Sequence, residues 1–204
     1  KPLVVTKVGR TASGRRAAAS HTGALATDEA VFDGIARQAG VIRADNEGHL
    51  LNILDLIVNC PLPGGGGLGI ITQSGGAGVL MADKAEELGL AVPVLAADTQ
   101  ARLRDTLPGF AAVANPVDVT AAFISDPEML TRAVEITLDD PNVGIAVVWL
   151  QLMEQHADRL VAAIAAIRDR SVKPFVVVWV AAPDAAIRGL RERDLRGAGL
   201  TGGS

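Results

Sequence analysis

Short apolar runs alternate with longer amphipathic stretches along most of this chain. Residues at helical spacing between the runs predict helices, which begin at the capping residues Thr27 or Asp28, Asn46, Asp98 or Thr99, and Asp126 followed by Pro127. Runs rich in Val, Ile and Leu, or strand-like in pattern, predict strands over 1–8, 41–42, 68–72, 92–95, 111–114, 143–150 and 173–180. This alternation predicts parallel βαβ units with helices on both faces, a three-layer α/β/α fold of the α/β class.

A proline- and glycine-rich segment interrupts the alternation. It runs Pro-Leu-Pro followed by four glycines, Pro61–Gly67. Prolines stop the preceding helix, and consecutive glycines have no side chains to pack into a core. The sequence therefore predicts two domains, residues 1–60 and 68–204, joined by a linker over 61–67.

Composition narrows the classes of function. The chain has 204 residues, 49% of them hydrophobic and 3% aromatic, with a formal net charge of −4. Nucleic-acid binding proteins usually carry a basic excess, so no nucleic-acid partner is expected. A single cysteine fits a reducing compartment, and no His, Cys, Asp and Glu cluster has metal-ligand spacing, so no metal site is predicted. No apolar run reaches the roughly 18 to 20 residues of a membrane span, and no signal-peptide pattern is present, so we expect a cytoplasmic protein without membrane contact.

One histidine lies within a run of small residues, Ala17–Leu25. The segment before it, Gly9–Arg16, contains three arginines and no apolar side chain larger than alanine, which predicts an exposed loop carrying His21. Imidazole can act as a base, a metal ligand or a nucleophile toward phosphorus, and nearby guanidinium groups can balance phosphate charge. The alternative is a solvated histidine in a basic loop, which is the more frequent case.

Two further segments fit ligand binding. Glycines follow a predicted strand at Ser74-Gly75-Gly76-Ala77-Gly78 and open a predicted helix, where unpaired amides and the helix dipole suit phosphate or carboxylate. The alternative there is a tight turn that only needs glycine. The second segment, Asn115–Asp118, is expected after a strand at the ligand-binding edge of an open α/β sheet, and its alternative is a structural Asx turn.

Several stretches together carry a resemblance to a known family. They are residues 1–5 followed by Gly9-Arg10, 18–25, 37–43, 72–83 and 115–120. These stretches closely resemble the NDP-forming acyl-CoA synthetases, relatives of succinyl-CoA synthetase, and the resemblance extends to about Val180. Its most specific motif is Ser-His-Thr-Gly-Ala at residues 20–24. The fold that the resemblance implies is a pair of flavodoxin-like, succinyl-CoA synthetase-like domains with parallel sheets.

The resemblance implies a phosphohistidine enzyme. Such enzymes interconvert an acyl-CoA, ADP or GDP and phosphate with a free acid, CoA and ATP or GTP. His21 matches the covalent phosphoryl carrier, and the segment Ser74, Gly75, Gly76, Ala77 and Gly78 matches one of two helix N-termini that hold the phosphorylated histidine. Supporting positions in the neighbouring loops would be Ser20, Thr22, Gly23, Asn115 and Asp118.

The same resemblance implies parts beyond the two predicted domains. In the family, a CoA-binding domain and the first half of the histidine domain precede the segment matching residues 1–60, and an ATP-grasp domain supplies the nucleotide and Mg²⁺. We therefore expect a fragment, inactive alone, with the missing domains on the same chain or on a partner subunit, in an oligomer. Mg²⁺, ATP or ADP, and CoA are implied for the full enzyme, and no cofactor is assigned to this segment.

Two other functions are compatible with the residues. One is a non-catalytic anion-binding, nucleotide-binding or regulatory module of the same fold. The other is an unrelated flavodoxin-like module that binds flavin or nucleotide. The scarcity of aromatic side chains disfavours the second of these.

Overall fold

The chain forms two compact units, of which the first ends at Ile57 and the second begins at Val58. The computed structural model describes residues 2–22 and 28–193, and for residues 21, 22 and 191 it describes the backbone alone. Each unit is built on a parallel sheet. The predicted α/β fold is confirmed.

The first unit has a two-stranded parallel sheet in which Val5 lies opposite Arg43. Its elements are β1 (Val4–Thr6), α1 (Ala12–Thr22), α2 (Glu29–Gln38), β2 (Ile42–Ala44) and α3 (Glu47–Asn59), and the last two residues of α3 belong to the second unit. Two predicted caps are confirmed. The backbone N–H of Ala30 donates to the Asp28 side chain at 2.9 Å, and that of His49 donates to the Asn46 side chain at 2.8 Å.

The loop predicted to carry His21 is wrong over residues 12–22, which form α1. The Thr11 hydroxyl oxygen accepts from the backbone N–H of Gly14 at 3.1 Å and caps the helix. Alanine and arginine have high intrinsic helix propensity, and the segment contains Arg15, Arg16 and Ala17–Ala19. The missing apolar anchors that suggested a loop do not prevent a capped, alanine-rich helix from forming.

Within residues 58–193, the second unit has a parallel sheet of four strands in the order β4-β3-β5-β6, which matches the first four strands of a flavodoxin-like sheet. Its strands are β3 (Gly67–Thr72), β4 (Val117–Asp118), β5 (Val143–Gln151) and β6 (Phe175–Val180). Its helices are α4 (Gly75–Glu87), α5 (Ala97–Thr106), α6 (Pro127–Asp139), α7 (Ala157–Arg170) and α8 (Asp184–Glu192), with short 3-10 turns at Ala121–Ile124 and Glu154–His156.

Two predicted strands of this unit are wrong. Neither 92–95 nor 111–114 belongs to the sheet, and the edge strand β4 instead covers Val117 and Asp118, for which the sequence predicts a loop. Pro93 has no N–H to donate, so a regular ladder cannot pass through it. The two segments contact each other through a single hydrogen bond, from Leu95 N–H to the Ala114 carbonyl at 3.0 Å.

The core of the second unit lies between the sheet and the helices. Its largest fully buried side chains are Trp179 and Phe123, and the remainder is mostly Val, Leu, Ile and Ala. The Trp179 indole N–H donates to the Leu152 carbonyl at 2.8 Å, so its one polar atom is satisfied.

The predicted linker ends in a tightly packed contact between two chain segments. Gly67 opens β3 and is buried, and its N–H donates to the Asn142 carbonyl at 2.8 Å. A Cβ on Gly144 would overlap the carbonyl oxygen of Gly65, and a Cβ on Gly66 would lie 2.7 Å from the Gly144 nitrogen. Glycine is therefore needed on both sides of this contact, and the end of the glycine run is part of the fold.

Candidate functional site

The candidate site lies at the turn between the end of β3 and the start of α4. Ser74 has extended backbone angles and caps α4 through its hydroxyl oxygen, which lies 3.5 Å from the Ala77 nitrogen. The Thr72 hydroxyl accepts from the Ser74 N–H and donates to the Ser74 carbonyl, both at 3.0 Å, so the turn is fixed from the last residue of the strand. Gly75 and Gly76 follow and are exposed, so the first amides of α4 are accessible to a ligand.

Gly75 and Gly78 of this turn allow close approach of neighbouring residues and do not adopt an unusual backbone conformation. Positive φ angles occur at five described glycines, and none of them is in the turn. A Cβ on Gly78 would lie 3.1 Å from Pro116 and 3.2 Å from Thr72, so this glycine lets α4 pack against the loop before β4. A Cβ on Gly76 would meet open space, which leaves room on the exposed side of the helix end.

A carboxylate lies beside this helix end. One oxygen of Asp118 accepts from the Thr120 N–H at 2.8 Å, which forms the Asx turn considered as a structural alternative. The other oxygen lies 3.2 Å from the position that a Cβ on Gly75 would occupy. Asp118 therefore combines a structural contact with an oxygen at the positive end of α4, where negative charge is stabilised.

Asn115 has a structural environment instead. Its side-chain oxygen accepts from the Ile70 N–H at 2.9 Å, and its amide donates to the carbonyls of Leu68 at 3.0 Å and Pro93 at 2.8 Å. These bonds hold the loop before β4 to β3. Asn115 thus supports the site by holding the loop before β4 in place, whereas the Ser74 turn and Asp118 form the surface of the site.

The sequence did not single out the pair Gln73 and Gln151. The Gln73 side chain donates to the Gln151 carbonyl at 3.2 Å and accepts from the Gln151 N–H at 3.4 Å. The Gln73 side chain thereby makes the two hydrogen bonds that a backbone residue of a neighbouring strand would make. These bonds connect the Ser74 turn to the end of β5. The two residues are 78 positions apart, so no local pattern indicates this contact.

The residues predicted around the histidine belong to the first unit. The backbone of His21 lies in the last turn of α1, and the Ser20 hydroxyl donates to the Ala17 carbonyl at 2.7 Å within that helix. Thr22 ends α1, and Gly23 lies outside the described residues. The structure brings Asp118 to the Ser74 turn, and it describes no side-chain geometry for His21.

The three arginines near His21 have different environments. Arg10 pairs with Glu29 and with Asp45, whereas Arg15 donates to the Arg10 carbonyl and Arg16 to the Ser13 hydroxyl. Arg10 is therefore held by carboxylates. Arg15 and Arg16 are exposed on α1 and available to an anion.

Comparison with known proteins identifies the family. Residues 1–57 match the family described as succinyl-CoA ligase like flavodoxin domain, and residues 68–188 match the Ligase-CoA domain. The second match covers more than half of the chain. The chain belongs to the Ligase-CoA domain family. The resemblance to NDP-forming acyl-CoA synthetases predicted from the sequence is thereby confirmed.

Individual relatives of this Ligase-CoA chain are longer than it is. The alpha subunit of ADP-forming acetate–CoA ligase II of Pyrococcus furiosus is 34% identical over 188 residues, which is 89% of this chain and 40% of the relative. The alpha subunit of ligase I from the same organism is 37% identical over 155 residues, 74% of this chain and 32% of the relative. The chain thus spans less than half the length of either subunit.

A solved structure supports the fold. The dinucleotide-forming acetyl-coenzyme A synthetase 1 of Ca. Korarchaeum cryptofilum, in complex with phosphate and ADP, superimposes with a TM-score of 0.81 at 26% identity. The superposition covers 98% of the Ligase-CoA chain and 43% of the synthetase.

The described residues offer neither a candidate metal cluster nor a helix that could span a membrane. Within 2–22 and 28–193, the structure groups no three or more His, Cys, Asp or Glu side chains in an arrangement that could hold a metal ion. The helices in this same part of the Ligase-CoA chain are too short or too polar to cross a membrane.

Proposed function

We propose that the Ligase-CoA chain is part of an NDP-forming acyl-CoA synthetase and that His21 carries the phosphoryl group. The observation that carries this proposal is the exposed Ser74 turn at the start of α4, in a family whose relatives here include ADP-forming acetate–CoA ligase subunits. The first amides of α4 and the helix dipole supply donors and positive potential for a phosphoryl group. The nucleotide, CoA and Mg²⁺ would be bound by parts of the enzyme other than the described residues. The enzyme would act in the cytoplasm.

The proposed chemistry divides the overall reaction into three transfers. Phosphate displaces CoA from the acyl-CoA and forms an acyl phosphate. An imidazole nitrogen of His21 then attacks phosphorus, so that a P–N bond forms while the P–O bond to the departing carboxylate breaks. The terminal phosphate oxygen of ADP finally attacks the same phosphorus, which breaks the P–N bond and gives ATP. A nucleophilic carrier replaces one difficult transfer by easier ones, and positioning and charge stabilisation supply most of the catalysis.

Within this scheme the residues of the second unit bind and orient. The amides of Gly75 and Gly76 would donate to phosphoryl oxygens. Ser74 and Thr72 would keep the turn rigid, and Asp118 would limit how far negative charge accumulates at this helix end, because its carboxylate already lies there.

The test is phosphohistidine labelling of the assembled synthetase. With acyl-CoA and radiolabelled phosphate, we expect an acid-labile, base-stable label on the wild-type chain and complete loss of label in His21→Asn. The exposed His49 in α3 and the half-buried His156 before α7 provide matched controls, and both His→Asn variants should retain the label. A label that survives in His21→Asn, or an active wild-type enzyme that never acquires one, would contradict the proposal.

A further inference from the structure

A compact cluster of charged side chains lies in the first unit, at the residues from which α1 and α2 begin. The Glu29 cluster, as we name it, consists of Lys7, Arg10, Glu29, Asp33, Arg43 and Asp45. Its three cations and three carboxylates balance. The cations of the cluster therefore form ion pairs with carboxylates of the same cluster.

Glu29 is the centre of this cluster. One of its carboxylate oxygens lies 3.0 Å from the Lys7 ammonium, and the other lies 3.0 Å from Arg10 and 2.8 Å from Arg43. Only about a quarter of the Glu29 side chain is exposed, at 26%, and the Lys7 side chain is 12% exposed. Three cations on one carboxylate, two of them largely shielded from water, make a stronger contact than an isolated surface pair.

An aromatic ring fixes the geometry of the two shielded cations. The Lys7 ammonium lies 5.7 Å and the Arg43 guanidinium 5.2 Å from the centre of the Phe32 ring. Arg43 also pairs with Asp33, one turn further along α2. Because both cations make cation–π contacts with Phe32 and Arg43 is also held by a second carboxylate, Glu29 meets a preorganised pair of donors.

Through Glu29 the cluster joins four elements. Lys7 follows β1, Arg10 precedes α1, Glu29 is the first residue of α2, and Arg43 lies in β2. The contact between Arg10 and Glu29 therefore links the residue that leads into α1 to the helix that follows it. The sequence between these two residues contains His21.

Packing does not explain how α1 is oriented within the first unit. None of residues 12–20 is buried, and only Gly14 and Ala18 are half-buried. A helix without a buried face receives little orientation from the hydrophobic effect. Side-chain bonds just before its first residue, from Arg10 to Glu29 and Asp45, supply a defined direction instead.

We propose that Glu29 is a positioning residue that, through Arg10, holds α1 and with it the backbone of His21 in a fixed direction relative to the β1–β2 sheet. The significance of that direction rests on the proposed function of His21. The anchoring itself has a readout that does not depend on catalysis.

The first experiment measures anchoring by limited proteolysis of the full chain. Trypsin cleaves after Arg15 and Arg16, which are exposed on α1, and mass spectrometry distinguishes these cuts from others. Loss of the link between Arg10 and Glu29 should raise the fraction of molecules in which α1 is locally unfolded. Glu29→Gln should therefore be cleaved after Arg15 and Arg16 roughly fivefold faster than the wild type.

The matched control is Asp33→Asn, which removes a carboxylate of the same cluster but not the link to Arg10. It should leave cleavage after Arg15 and Arg16 within about twofold of the wild type, because its partner Arg43 keeps Glu29. Arg10→Gln should reproduce the effect of Glu29→Gln, and the double variant should be no faster than either single variant. Unchanged cleavage in Glu29→Gln, equal acceleration in Asp33→Asn, or additive effects in the double variant would overturn the anchoring.

The second experiment measures His21 labelling in the assembled synthetase. Glu29→Gln should slow the maximal rate of phosphohistidine formation about fivefold, in proportion to the loss of anchored α1, while the phosphate concentration giving half-maximal rate stays the same. Faster cleavage with an unchanged labelling rate would overturn the positioning role. If the active wild type shows no label but the cleavage results hold, the proposed function fails and the anchoring stands. If labelling is normal but Glu29→Gln does not change cleavage, the anchoring fails and the proposed function stands.

Discussion

The Asn115 side chain connects β3 to the segment around Pro93, which is not a strand. The segment containing Pro93 cannot form a regular ladder with β3, and the amide of Asn115 bonds to both of them. It uses both donors and its oxygen, and its φ angle of 96° lies in a region that Asn tolerates better than most residues. A local pattern predicts a turn at Asn115-Pro116, but it does not reveal bonding partners 22 to 47 positions away.

Replacing Asn115 should therefore be costly. We expect Asn115→Ala to lower the free energy of unfolding by about 3 kcal/mol, because partly buried backbone groups lose their partners and alanine is less tolerant of positive φ. Denaturant titration measures the change. The control is Asn142→Ala, whose exposed side chain donates one long bond to the Val94 carbonyl at 3.3 Å and whose loss should cost no more than about 0.5 kcal/mol. Equal costs for the two variants would contradict the bracing role of Asn115.

Glu29 gives the first unit a distinct response to acid. Hydrogen bonds from Arg43 and Lys7 lower the pKa of the Glu29 carboxyl from 4.5 to about 2. Because the folded-state pKa is depressed, the stabilisation from ionised Glu29 is fully present above the unfolded pKa and is lost as the pH falls toward 2.

The difference between the wild type and Glu29→Gln should follow this sign. We expect the wild type to have the higher free energy of unfolding by a constant amount above about pH 5, with the gap closing as the pH falls from 4.5 toward 2. Denaturant titrations across this range measure it. A gap that grows on acidification would show that Glu29 is not the titrating group.

At the scale of elements, the sequence predicted best where the chain supplies its own boundary. Asp28 and Asn46 cap the helices that they are predicted to begin, and Pro127 begins α6. The cap predicted at Asp98 or Thr99 is wrong, because α5 begins at Ala97 and has no side-chain cap. The hydrophobic pattern does not predict α1, because this helix has no buried face and depends on helix propensity and on the cap at Thr11. The strand predicted over 92–95 failed for the opposite reason, since its apolar pattern was right for burial but Pro93 removes a backbone donor.

The glycine run before β3 yields a prediction at this scale. Gly144→Ala should lower the free energy of unfolding of the second unit by about 3 kcal/mol, because the new methyl group overlaps the rigid backbone at Gly65. Gly64→Ala is the control, since a Cβ there has open space and should raise stability by up to about 0.5 kcal/mol by restricting the unfolded chain. Thermal unfolding measures both, and a neutral Gly144→Ala would show that the two segments can separate.

At the scale of the molecule, the alternation of strands and helices was enough to predict parallel sheets. The strand order was accessible only through the resemblance to a family, because periodicity contains no information on which strands are neighbours. The Ser74 turn was predicted from its strand-glycine-helix pattern. Its environment was not: Asp118, Gln73 and Gln151 reach it through contacts between residues distant in sequence.

The contact between Gly65 and Gly144 also divides the proline- and glycine-rich segment into parts with different evolutionary freedom. From Pro61 to Gly64 the chain is exposed, so insertions, deletions and fusion joints can accumulate there without disturbing the second unit. From Gly65 onward the backbone is in van der Waals contact with β5, and the length of the segment is fixed. Differences in segment length among relatives should therefore fall on the proline side, and the last glycines should change only together with position 144.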